Sequence, residues 1–218
     1  MKVLLTAMAL LIAHFVNCQI YFAASAGPQA TGVHYVVDHK TQESSYKLGV
    51  NAGLQLKIPL EGRLYFAPSI MYNLRGYKVK FDSPPTDLPN PEAIDNNTSF
   101  HTIELGFLLQ HDFKMTSGHF FIRLGPSLDF ALFGHEKYNT QTNGLVERTM
   151  PFNFGAYGHY LASAIVHFGY EFKNKWYVYG HYNYSIGTMD NVDYGDYIGN
   201  RAAGISIGYY FKTSKVVL

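Results

Sequence analysis

One pattern limits what this chain can fold into: apolar and polar residues alternate with a period of two. In residues 47–60, KLGVNAGLQLKIPL, the residues Leu48, Val50, Ala52, Leu54, Leu56, Ile58 and Leu60 share one face. Lys47, Gly49, Asn51, Gly53, Gln55 and Lys57 share the other. Successive side chains of a strand point to opposite faces, so this is one long amphipathic strand. A helix would scatter those leucines around its circumference.

The pattern recurs along the chain. Leu64, Phe66, Pro68, Ile70, Tyr72 and Leu74 oppose Tyr65, Ala67, Ser69, Met71, Asn73 and Arg75. Similar alternation fills 101–113, 120–132, 160–172, 176–187 and 203–211, and a weaker run lies near Tyr21–Val37. The spacing predicts eight strands. Tight connections fall at Glu61-Gly62, Thr116-Ser117-Gly118 and Asn174, and long ones at 38–46, 82–99, 134–150 and 188–200. Short and long alternate, as in an up-and-down antiparallel barrel spanning an outer membrane, with short periplasmic turns and long external loops. An even strand count places both termini on the periplasmic side.

Composition separates this barrel from a soluble, lipocalin-like carrier. Only 15% of residues are charged and 16% are aromatic, against roughly 25% charged in an average soluble domain. In a soluble barrel the apolar face would fill the lumen and the second face would meet water. That second face is Gly, Ser, Asn and isolated charges, too poor in charge for a solvated wall. Aromatics gather near strand ends (Tyr65, Phe66, Phe120, Trp176, Tyr209, Phe211), where interfacial girdles belong. A net charge of +1 without a basic stretch argues against nucleic-acid binding.

The first eighteen residues are expected to be a cleaved signal peptide. Met1-Lys2 is the positive start, Val3–Val16 is the apolar stretch, and cleavage falls between Cys18 and Gln19. The apolar stretch is shorter than the ~20 residues of a spanning helix. A lipoprotein would carry lipid on Cys18, but Phe15, Val16 and Asn17 make a poor lipobox. The barrel then occupies 19–211, with a short periplasmic tail at 212–218.

The succession KLGVNAGLQLKIPL, LYFAPSIMYNLRGYKVKF, IELGFLLQHDF, FFIRLGPSLDFAL, HFGYEF, YGHYNYSIG and GISIGYYF resembles an outer-membrane β-barrel family abundant in Bacteroidetes. This is the PorT-like or OmpX-like outer membrane protein beta-barrel domain. The resemblance implies location and fold, and no single activity, although some members belong to secretion machinery. Phe211 resembles the closing aromatic that barrel-assembly machinery recognises, here followed by KTSKVVL.

The second face carries the candidate lumen charges: Lys47, Lys57, Arg75, Glu104, Asp112, Arg123, Asp129, His167, Glu171 and His181. Buried charges must pair to be tolerated, so these are expected to plug the barrel, with Glu104 and Arg123 as one candidate pair on neighbouring strands. A gated ion path is the alternative. Loop candidates for recognition are Asp82, Asp87, Glu92 and Asp95 in a proline-rich loop, and Asp190, Asp193, Tyr194, Asp196 and Tyr197 in another. Seven of the sixteen acids lie there without a base. The ten His show no metal spacing along a helix. No catalytic motif stands out, although Asp38, His39, Ser44 and Ser45 could be cast as loop chemistry. The expectation is a non-enzymatic membrane protein without cofactor or metal, meeting outer-membrane lipid and another outer-membrane or periplasmic protein. A narrow ion channel and an outer-leaflet lipid-modifying enzyme rank behind it.

Overall fold

Lipid offers no hydrogen bonds to a sheet edge, so a membrane-spanning sheet has to close on itself. It does so here. The computed structural model describes residues 19–85, 89–114, 118–192, 196–211 and 214–215. The expected signal peptide at 1–18 and the turn at Thr116-Ser117 lie outside the described residues. No helix among the described residues is long and apolar enough to cross a membrane.

The elements are β1 (Gln19–Val37), β2 (Lys40–Thr41), β3 (Glu43–Glu61), β4 (Leu64–Lys80), β5 (Asp95–Asp112), β6 (His119–Thr140), β7 (Gly144–Thr149), β8 (Tyr160–Glu171), β9 (Trp176–Ser185), β10 (Tyr197–Tyr210) and β11 (Ser214–Lys215). All pairs in the sheet are antiparallel, in the order β1-β3-β4-β5-β6-β8-β9-β10. The ring closes where β10 returns to β1, from Ala23↔Tyr210 to Val36↔Tyr197. That is the expected eight-stranded barrel. One end carries tight turns, such as Gly62-Arg63 between β3 and β4. The other carries the longer connections and is called the loop end below. In the 212–218 tail, Ser214 and Lys215 pair with Ile20 and Gln19 at the turn end.

Each segment expected to be a long loop is partly strand. The 38–46 loop reduces to a turn at Asp38 and His39, both with positive φ (48° and 65°) as a two-residue hairpin requires. The 134–150 loop is a hairpin in which His135–Thr140 of β6 pairs with Gly144–Thr149 of β7. In the remaining two, β5 starts already at Asp95 and β10 at Tyr197. The twenty-two residues of β6 therefore reach roughly 70 Å along the strand, while crossing a bilayer takes ~9–11 residues.

The surplus length has the opposite polarity. On β4, Ile70, Tyr72 and Leu74 face outward and Ser69, Asn73 and Arg75 face inward. Beyond Gly76, Lys78 and Lys80 face outward, and Tyr77 and Val79 are buried inside. On β1 the inward series changes from Ser25, Gln29 and Thr31 to Val33, Tyr35 and Val37. The loop-end residues form an apolar core of Val33, Tyr35, Tyr77, Phe100, Tyr138, Tyr157, Ile198 and neighbours. The protein is thus a lipid-facing barrel carrying a water-facing dome.

Candidate functional site

The barrel interior is built by the inward residues of alternating strands, and it is layered. Nearest the turns, Lys57 Nζ lies 2.7 Å from Asp112 Oδ2 and 2.8 and 2.9 Å from Glu171 Oε1 and Oε2. Gln110 Nε2 donates to Asp112 Oδ1 and to Glu171 Oε1, at 2.6 and 2.9 Å. Tyr210 donates its hydroxyl to Glu171 Oε1 at 2.7 Å and accepts from Arg123 Nη2 at 3.0 Å. Arg123 also donates to the side-chain oxygens of Gln110 and Gln55, and its guanidinium sits 4.5 Å from the centre of the Phe121 ring.

The middle layer centres on Arg75. Its Nη2 lies 2.6 Å from Glu104 Oε2 and its Nη1 2.9 Å from Asp129 Oδ2. Asn183 donates to the same Glu104 oxygen at 2.8 Å and Ser163 to the same Asp129 oxygen at 3.2 Å. The expected Glu104–Arg123 pair does not form. The β5–β6 register sets Glu104 opposite Asp129 and Gln110 opposite Arg123. Two carboxylates face each other across the strands, which is unfavourable by itself, and Arg75 bridges them from β4.

His167 and His181 line the remaining space, with ring centres 6.0 Å apart. The His167 ring lies tilted against Tyr179, with centres 4.7 Å apart, and His181 Nε2 meets Gln29 Oε1 at 3.4 Å. The cavity they share with Asn73, Arg75 and Glu104 is about 20 Å³, room for about one water.

Lys47 stands apart from this network. Next to the β3–β4 register shift between Tyr46 and Val50, its ammonium crosses Gly76 and meets Asn97 Oδ1, Thr98 O and Ser99 Oγ. Asn97 and Ser99 belong to the outward set of β5. Alternation counted from Leu48 carries the wrong face through that irregularity.

Three side chains at the turn end, Asp112, His119 and Glu171, bring donor atoms within 4.8 Å of one another, a spacing that suits a metal ion. His119 Nε2 is 3.0 Å from Asp112 Oδ2. The ammonium of Lys57 already contacts both carboxylates, so the cluster has a built-in cation where a metal would sit.

At the loop end, Glu136 accepts from Arg148 Nε at 2.7 Å and from the Tyr157 hydroxyl at 2.8 Å. Asn90 donates to Tyr157 at 2.7 Å, and Arg148 reaches Pro89 O at 2.6 Å. The Glu136 carboxylate holds Arg148 above its usual range against the opposing effect of burial. Sequence reading missed this set, because its residues lie in a segment that looked like a loop.

The expected recognition acids are structural in part. Asp95 accepts from Asn139 N and Nδ2 at 2.8 and 2.7 Å, Glu92 accepts from Thr142, and buried Asp190 accepts from Val192 N. Asp82 N donates to Gln42, Asp196 O accepts from Thr188, and Tyr197 donates to Ser185 O. Asp87, Asp193 and Tyr194 lie outside the described residues.

A closed, apolar-walled ring with paired charges inside defines an integral outer-membrane β-barrel. The chain belongs to the outer membrane protein beta-barrel domain family, whose model matches residues 19–191. Among solved structures it is similar to Ail, the attachment invasion locus protein of Yersinia pestis, at 12% identity and a TM-score of 0.46, covering 88% of this chain and 99% of that one. It is also similar to OprG from Pseudomonas aeruginosa, at 8% identity and a TM-score of 0.46, covering 89% and 97%. The outer membrane enzyme PagL matches at 13% identity and a TM-score of 0.45, covering 86% and 98%. No curated protein matches the chain.

Proposed function

We propose that this protein is a non-conducting, non-enzymatic outer-membrane barrel that acts through its dome, as a recognition surface or as an accessory subunit of a larger outer-membrane assembly such as a secretion machine. The observation that carries this reading is the closed interior. Ion pairs fill the membrane-level lumen around Lys57 and Arg75, cavities of only about 20 and 10 Å³ lie beside Arg75, and the apolar core fills the dome above. Eight strands leave an interior only wide enough for side chains. The rest of the reading follows the sequence: export by the leader at 1–18, both termini in the periplasm, the loop end outside the cell, and a Bacteroidetes, PorT-like affiliation.

Planar-bilayer recording tests it. The refolded protein is expected to give no discrete conductance steps. Reproducible steps that vanish in a variant with a crowded lumen, such as Ser127→Phe, would establish the narrow ion channel instead.

A further inference from the structure

Arg201 stands where the outer wall changes polarity. It belongs to the outward set of β10 and is paired with Gly32 of β1 on one side and Tyr184 of β9 on the other. Its guanidinium lies 5.4 Å from the centre of the Tyr184 ring. Its Nε is buried without a hydrogen-bond partner. Among the described residues no carboxylate lies within 4 Å of it. Every other membrane-level arginine of the barrel is hydrogen-bonded inside the lumen. A cation on the lipid-facing side has to find its anion outside the protein.

Four residues along the strand from Arg201, toward the turn end, the wall is notched. Gly180 faces outward between Phe168 of β8 and Ile205 of β10. A Cβ built there would meet nothing nearer than 3.9 Å. The open groove around it, about 790 Å³, is bounded by Phe120, Val166, Phe168, Tyr182, Ala203 and Ile205. Four residues separate Arg201 from Ile205. That is roughly 13 Å along the strand, and about 10 Å along the membrane normal at a tilt near 40°. Half of the hydrocarbon core is roughly 15 Å. A cation at headgroup height thus sits within an acyl chain's length of an open apolar slot.

We propose that β8, β9 and β10 form a binding site for one phosphate-bearing anionic lipid, with its phosphate on Arg201 and one acyl chain in the Gly180 notch. Guanidinium is suited to phosphate oxygens, which accept two parallel N–H bonds. Tyr184, beneath the guanidinium, keeps the charge oriented at the interface. An apolar slot alone would accept any chain, and an arginine alone any anion. Stacked on one strand pair, they select a net-negative headgroup carrying a chain.

Native mass spectrometry of the detergent-solubilised, refolded protein tests the site, with phosphatidylglycerol, phosphatidylcholine or inorganic phosphate added. One phosphatidylglycerol is expected to remain bound, at least tenfold more tightly than phosphatidylcholine, with no retention of free phosphate. Arg201→Gln is expected to weaken phosphatidylglycerol at least tenfold. Gly180→Leu fills open space, so the barrel still forms and shows its heat shift on a gel, yet retention falls at least fivefold. Equal retention of both lipids, or wild-type retention by either variant, would overturn the proposal. So would a dimer that Gly180→Leu dissociates, because a second copy would then own the groove.

Discussion

The two halves of a single strand teach more than the barrel as a whole. On β4, residues 64–75 are apolar outside and carry Ser69, Asn73 and Arg75 inside, while residues 76–80 carry Lys78 and Lys80 outside and Tyr77 and Val79 inside. The strand continues across Gly76, where the pairing to β3 shifts between Val50↔Leu74 and Tyr46↔Tyr77, and the register to β5 runs without a shift from Leu64↔His111 to Lys80↔Asp95. Only the surroundings change. Where lipid lies outside, the lumen must hold the polar groups, and each must be paired. Where water lies outside, burial of apolar surface again stabilises the interior, at roughly 25 cal/mol per Å².

The largest effect should come from breaking the charge pairing of the membrane half. Arg75→Gln leaves Glu104 and Asp129 facing each other without a cation. Breaking a buried pair by removing one partner costs about 3–5 kcal/mol. Urea unfolding in lipid vesicles, followed by the fluorescence of Trp176, measures it. Adding Glu104→Gln and Asp129→Asn should recover most of the loss. If the triple variant is no more stable than Arg75→Gln, the layer is held by packing and not by charge.

A pair of outward substitutions on the same strand locates the boundary. Ile70→Arg puts a cation into lipid, at a cost of about 2–4 kcal/mol near the midplane. Lys78→Leu, two residues beyond Gly76, should change stability by less than about 0.5 kcal/mol. Equal costs in the same vesicle assay would remove the polarity boundary from Gly76.

That boundary also explains what the sequence revealed. The alternation in 47–60 and 64–74 was legible because one sign of polarity held throughout each run. Strand number, closure and the facing of Arg75, Asp129 and Glu171 followed from it. At the loop end the alternation persists with its sign reversed, so Tyr35, Val37 and Val79 did not extend the apolar faces of their runs and Tyr138 read as an apolar residue in a long loop. The irregularities compounded this. The β5–β6 register slips between His101 and Thr102, so that Leu132 and Phe133 are both exposed. Partners are harder to read than faces. Glu104 and Arg123 share the lumen side of neighbouring strands, but register decides contact, and a gap of six residues along β5 separates Glu104 from the residue opposite Arg123. Arg201 carried no signal until the notch below it was visible.

A smaller effect than that of Arg75→Gln or Ile70→Arg should be confined to the dome. Glu136 is buried and joins β6 to Arg148 of β7 and to Tyr157. Glu136→Gln removes the charge from both bonds, and hydrogen bonds to charged groups contribute about 1.5–3 kcal/mol. Limited proteolysis should then cut the 150–159 connection at least tenfold faster, while the heat shift of the barrel stays as in the wild type. The wild type should show a related alkaline weakness. Burial first, and then the neighbouring Tyr77 and Glu136 charges, push the Tyr157 hydroxyl well above its ordinary value of 10.0. The opened dome releases that proton at the ordinary value and the closed dome keeps it. This contribution is therefore complete below pH 10 and is lost as the pH climbs above it. Cleavage of the dome should accelerate there while Trp176 still reports a folded barrel. If the barrel signal moves in step with dome cleavage, the two halves unfold as one unit, and the change of polarity along the strands does not mark a boundary in stability.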